Sequence, residues 1–245
     1  YKNLFLNGCK VAKALQLSGI GKGDRFSLVM RNHPEFLYTM FAASMTGAVV
    51  VPIDPRSKGS KLSYQISDSN SKGVICTSEF LDDVEKSLFD LPDIKVMGVV
   101  YKDGFDRKDN GKYPSLNEVL TGPECGIPDN ANRELNTPLE IIYTSGTTGD
   151  PKGVVIKAHR MPMFKMLAEF IWQYQSDDKL YTGLSLTHGN AQSVTLVPSI
   201  MMGIPSVISR KFTKSRLWDI CRKHGCTTFS LLGGMMMGIY SEPRK

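Results

Sequence analysis

The chain has 245 residues, of which 41% are hydrophobic and 22% charged, with a formal net charge of +6. That suffices for one large or two small domains with a buried core and is ordinary for a globular α/β chain. Lysines and arginines are scattered, with no run of nucleic-acid-arm length and no interleaved aromatics, so no nucleic-acid partner is expected.

A helix is predicted over 3–18, where Leu4, Val11 and Leu15 recur at helical spacing and Gly19-Ile20-Gly21 stops it. A strand over 25–30 follows, then a helix opened by Pro34 and ended near Gly47, then the wholly apolar strand 48–53. Next come a helix over 62–67, a strand over 73–77, a helix over 78–88 and a strand over 95–101. Strands apolar throughout, alternating with helices, imply a mainly parallel sheet covered on both faces. Residues 102–136 break the rhythm and read as a surface excursion with one short helical segment at 115–120. After a strand at Ile141-Ile142 and another at 152–157, a helix is expected over 160–174. A second alternation follows: strand 179–181, helix 192–201, strand 206–209, helix 214–224, strand 227–230. The expected fold class is α/β, two successive αβ subdomains with mainly parallel sheets flanked by helices. The division is placed at 175/176, with helix 1–19 able to pack on the second subdomain.

The cysteines, at 9, 76, 125, 221 and 226, form no CxxC pair and are odd in number. Cys221, His224 and Cys226 are close in sequence but lack a fourth ligand at suitable spacing, so thiols in a reducing cytoplasm are expected and no metal site. Tyr1-Lys2-Asn3 begins straight into an amphipathic pattern, which reads as no signal peptide. The most apolar stretch, 197–208, is short and broken by Pro198, Gly203 and Pro205, so no bilayer span is expected.

The run Tyr143-Thr144-Ser145-Gly146-Thr147-Thr148-Gly149-Asp150-Pro151-Lys152-Gly153 sets hydroxyls, glycines and a lysine between two β-branched segments. Hydroxyls and bare backbone N–H groups suit a polyphosphate, glycines allow close approach, and the lysine supplies a movable charge. A Walker loop is excluded, because Pro151 stands where its second glycine belongs and Gly153 where Ser or Thr should follow the lysine. Val154, Val155 and Ile156 make the following segment a strand, so the loop joins two strands with no helix dipole behind it.

This run resembles, position for position, the phosphate-binding signature of the adenylate-forming superfamily: acyl-CoA synthetases, peptide-synthetase adenylation domains and luciferases. Gly21 to Arg25, Asn32 to Phe36 and Met45 to Pro52 are similar to early segments of acyl-CoA synthetases. Leu186-Thr187-His188-Gly189-Asn190 matches the family's His-containing motif, so the resemblance covers essentially the whole chain. It implies ATP-dependent activation of a small-molecule carboxylic acid to an acyl-adenylate, then thioester formation with coenzyme A. Thr144, Ser145, Thr147 and Thr148 would donate hydroxyls to the phosphates, Gly146 and Gly149 would supply amides, and Lys152 a counter-charge. Mg²⁺ is expected with ATP, with no carboxylate motif in the chain to hold it.

The resemblance places His188 beside the acyl carboxylate, with Asn190 and Gln192 opening the helix that lines the acyl pocket. Gly233, Gly234 and Met235 fall where the family has a proline-containing segment bordering the acyl group. Amino-acid-activating relatives carry an aspartate in the His188 region, whereas 184–193 has no acidic residue, which favours a plain carboxylic acid. A peptide-synthetase adenylation domain and a non-catalytic nucleotide-binding fragment remain the alternatives. The resemblance also implies a chain roughly twice as long, with a C-terminal lid domain, so these residues are expected to be the N-terminal portion of a longer ligase.

Overall fold

The structure, a computed structural model, describes residues 1–102, 111–128, 134–144 and 149–242. The chain forms two compact units, Tyr1–Ala158 and His159–Lys245.

The first unit holds α1 (Lys2–Leu17), β1 (Arg25–Val29), α2 (Pro34–Thr46), β2 (Val49–Ile53), α3 (Gly59–Asp68) and β3 (Ser71–Thr77). A 3₁₀ turn at Ser78–Phe80 leads into α4 (Leu81–Ser87), β4 (Lys95–Val100), α5 (Leu116–Thr121), β5 (Pro138–Thr144) and β6 (Lys152–Lys157). The strands form one six-stranded sheet in the order β4-β3-β1-β2-β5-β6. The first five are parallel and β6 runs antiparallel to β5. The expected alternation is therefore present, and the apolar runs become strands buried on both sides: all five residues of β2 are buried. On one face, Val29, Val51, Ile53, Val74 and Val99 pack with Leu62 and Ile66 of α3 and Val84 of α4. α1 packs on α2 and also meets α5, all within this unit. Their approach is close, since a Cβ on Gly8 would lie 3.1 Å from Phe41 Cβ. In the excursion after β4, Ser115 caps α5 by accepting from the Glu118 N–H at 3.4 Å.

The second unit holds α6 (Arg160–Phe170), β7 (Leu180–Thr182), a π-helical stretch (Ala191–Leu196) that runs into α7 (Val197–Met202), and β8 (Ser206–Ile208). A 3₁₀ turn at Lys214–Arg216 then precedes α8 (Leu217–His224), β9 (Thr228–Ser230) and α9 (Gly233–Tyr240). Its three strands are parallel in the order β8-β7-β9. The small core gathers Tyr181, Leu217 and Cys221, with Val207, Phe212 and Ile239 packed against it.

Two elements differ from the sequence expectation. The helix expected over 160–174 stops at Phe170, and Gln173 takes a left-handed conformation with φ 53°. The helix expected over 192–201 opens as a π-helix, because Pro198 has no N–H for the carbonyl four residues back. That carbonyl, of Val194, accepts instead from Tyr174 Oη at 3.1 Å. The division between units falls at 158/159, and α6 packs on α7 and the π-helical stretch.

Candidate active site

In the first unit the phosphate-loop sequence links β5 to β6, so it joins two strands, as the Val154-Val155-Ile156 run requires. Tyr143 faces Gly153 and Thr144 faces Lys152 across the antiparallel pair, and Thr144 Oγ1 donates to the Lys152 carbonyl at 3.4 Å. Ser145, Gly146, Thr147 and Thr148 lie outside the described residues. Thr144, Gly149 and Lys152 are exposed, and Gly149 sits at φ +105° with open space where a Cβ would be. Thr144 and Lys152 thus pair at the carboxyl end of β5, with Gly149 three residues before Lys152. That is the edge of a parallel sheet where ligands bind. The described part of the hairpin offers one hydroxyl and one lysine beside the exposed carboxylate of Asp150.

Gly153 is fixed by its neighbours. A Cβ there would lie 2.8 Å from Ile141 Cγ2 and 3.4 Å from Tyr143 Cζ, so the Tyr143 ring covers a position only glycine can fill. Tyr143 Oη reaches beyond it to donate to Asp68 Oδ2 at 2.6 Å. Burial first, then the Asp68 hydrogen bond and charge, push the Tyr143 phenol well above its usual range and keep it a donor.

In the second unit β7 leads into the turn that carries His188. The turn is closed by the His188 N–H on the Ser185 carbonyl at 3.0 Å, and Ser185 Oγ and Thr187 Oγ1 share a hydrogen bond of 2.9 Å. His188 is half-buried there. Gln192 is buried at 3% exposure and donates its amide to the Leu186 carbonyl at 2.7 Å, which supports the turn from beneath. Asn190 is half-buried, and its Oδ1 has no hydrogen-bond partner among the described residues.

Gly233, Gly234 and Met235 begin α9, just past the carboxyl end of β9, which pairs with β7 through Thr182↔Ser230. The His188 turn and this segment therefore leave adjacent strands at the same edge. Hydroxyls link the two paths: Ser230 Oγ donates to Thr182 Oγ1 at 3.3 Å, and Thr195 Oγ1 lies 3.1 Å from Ser230 Oγ. Both glycines face open space, and Met236 and Met237 are 58% and 69% exposed among the described residues.

Sequence reasoning missed three features: the Tyr143–Asp68 contact, the Thr182–Ser230–Thr195 hydroxyls and the π-helical opening. Only the last had a local signal, Pro198 inside an otherwise helical run. Among the described residues no group of three or more His, Cys, Asp or Glu is placed to hold a metal ion, and no helix is long and apolar enough to cross a membrane.

Comparison with known proteins places the chain in a family. Long-chain fatty acid transport protein 2 of Rattus norvegicus is 28% identical over 240 residues, covering 96% of this chain and 38% of its own length. Crotonobetaine/carnitine–CoA ligase of Salmonella paratyphi B is 26% identical over 231 residues, covering 92% and 43% respectively. The chain thus spans less than half the length of these curated relatives. Among solved structures, the N-terminal domain of FACL13 from Mycobacterium tuberculosis matches with TM-score 0.85 at 26% identity, over 99% of this chain and 58% of that one. o-Succinylbenzoate CoA synthetase from Bacillus subtilis shares the fold, with TM-score 0.80 at 21% identity over 98% and 57%. The family profile described as AMP-binding enzyme matches residues 1–245, and the chain belongs to that family.

Proposed function

We propose that the chain is the N-terminal portion of an AMP-forming acid–thiol ligase that activates a carboxylic acid and transfers the acyl group to coenzyme A. The observation that carries this reading is the β5–β6 hairpin, which pairs exposed Thr144 with exposed Lys152 at the carboxyl edge of the sheet. Membership of the AMP-binding family and relatives named as CoA ligases support it.

In the first half-reaction a carboxylate oxygen attacks the α-phosphorus of ATP and pyrophosphate leaves. The chain's part is positioning and charge stabilisation. Hydroxyls of Thr144, Ser145, Thr147 and Thr148 and amides of Gly146 and Gly149 hold the β- and γ-phosphates. Lys152 balances the charge that builds on the leaving pyrophosphate. Mg²⁺ would arrive with ATP and neutralise phosphate charge, and no cluster of acidic or other ligating side chains among the described residues is placed to hold it. In the second half-reaction the coenzyme A thiol attacks the acyl carbon and AMP leaves.

His188 lies beside the acyl carboxylate, and Asn190, Gln192, Gly233, Gly234 and Met235 border the acyl group. Two small glycines followed by soft, flexible methionines support an apolar or bulky acid. The absence of an acidic residue over 184–193 disfavours an amino acid, whose ammonium would need a partner. Five free cysteines support a reducing, cytoplasmic setting.

The test is carboxylate-dependent exchange of labelled pyrophosphate into ATP by the protein from the uninterrupted reading frame, across fatty, aromatic and amino acids. Exchange with a plain carboxylic acid supports the ligase. Exchange with amino acids alone indicates a peptide-synthetase adenylation domain. ATP binding without exchange indicates a non-catalytic binder.

A further inference from the structure

Among the described residues, the phosphate hairpin joins the rest of its sheet through β2. β5 pairs with β2 only at Val50↔Glu140, and beyond that point β2 carries Pro52, which has no N–H to offer a ladder. Among the described residues β6 is the last strand of this sheet, and Val154 and Val155 are 44% and 47% exposed. Residues 141–144 and 152–155 pair with one another, and Ile141 and Tyr143 seat them on the core of the unit.

The polar tie is at the last turn of α3. Asp68, its final residue, accepts from Tyr143 Oη at 2.6 Å, one residue before the loop begins. Tyr64 stands one turn earlier on the same face of α3. Its phenol is pushed up by burial, then by the charges of Asp68 and of Asp150.

We infer that Asp68 is a positioning residue for nucleotide binding: through Tyr143 it fixes the phosphate hairpin against α3 and so sets where Thr144 and Lys152 meet the ATP phosphates. This rests on the ligand assigned to the hairpin above. Simple electrostatics predicts the opposite sign for Asp68, because removing a carboxylate near an anionic ligand strengthens binding. An anchoring role predicts weaker binding when the carboxylate is lost.

The experiment uses the full-length protein as wild type and as Tyr143→Phe, Asp68→Ala and Asp68→Asn, the last retaining an acceptor oxygen. Four quantities are read: equilibrium ATP affinity, pyrophosphate exchange, thioester formation from supplied acyl-adenylate, and melting temperature. Tyr143→Phe and Asp68→Ala are expected to weaken ATP binding and slow exchange by about tenfold, with Asp68→Asn within about twofold of wild type. Thioester formation from supplied acyl-adenylate, which needs no β- or γ-phosphate, is expected to stay unchanged. Unchanged or tighter ATP binding by Asp68→Ala overturns the inference. Equal loss in both half-reactions with a fall in melting temperature overturns it too, by showing a purely structural role. If wild type binds ATP but exchanges no pyrophosphate, the ligase reading fails and ATP affinity alone decides the anchor. If wild type does not bind ATP, both fall.

Discussion

The Tyr174 hydroxyl donates to the Val194 carbonyl at 3.1 Å, and Val194 is the residue whose carbonyl Pro198 cannot serve. A proline in a helical run and a tyrosine just beyond another helix thus form one device, which keeps the stretch after His188 in π-helical form. Burial first, then the Asp178 charge, push the Tyr174 phenol up and keep it a donor.

Tyr174→Phe is expected to destabilise the second unit by about 1–2 kcal/mol in urea denaturation, because it removes a side-chain donor from the Val194 carbonyl. Pro198→Ala restores a backbone donor for that carbonyl. The double variant should therefore lose less than Tyr174→Phe does alone. Strict additivity in the double-mutant cycle would show that the two residues do not share the carbonyl.

Gly153→Ala forces a Cβ to 2.8 Å from Ile141 Cγ2 and against the Tyr143 ring. The expected cost is about 1–3 kcal/mol of stability, with weaker ATP binding as the ring moves. Stability and ATP affinity equal to wild type would show that the hairpin can open at no cost.

Lys152 is exposed, so Lys152→Ala should leave the melting temperature close to wild type. Pyrophosphate exchange should fall by about two orders of magnitude, as expected for removing a charge aimed at a leaving phosphate. A wild-type exchange rate in this variant would remove Lys152 from the site.

Burial, and then neighbouring Cys226, push the Cys221 thiol from 9.0 up to about 11. The folded state therefore holds this proton more tightly than the unfolded chain does. Its contribution to stability is complete below about pH 9 and is lost as pH rises towards 11. Chemical denaturation between those values should show falling stability, with a shallower slope in Cys221→Ala. Equal slopes would show that Cys221 does not carry the effect.

Much of this was legible along the chain. Apolar runs such as Val49 to Ile53 announced strands buried on both sides, and Val154-Val155-Ile156 announced a strand where a Walker loop would have a helix. Contacts distant in sequence were not legible: Asp68 and Tyr143 are 75 residues apart, and neither carries a pattern that names the other. The division at 158/159 was also hidden, because composition does not change there and packing of α6 decides it. Within the candidate site, residue types pointed to phosphate chemistry, while the support that Gln192 gives the His188 turn required coordinates.

The most direct measurement follows oxygen. The full-length protein is given ATP, coenzyme A and an acid labelled with ¹⁸O in its carboxylate, and the AMP formed is weighed by mass spectrometry. Attack of the carboxylate on the α-phosphorus leaves one labelled oxygen in AMP after the thiol takes the acyl group, and that is the predicted result. Unlabelled AMP, or label appearing in inorganic phosphate beside ADP, would contradict adenylate formation.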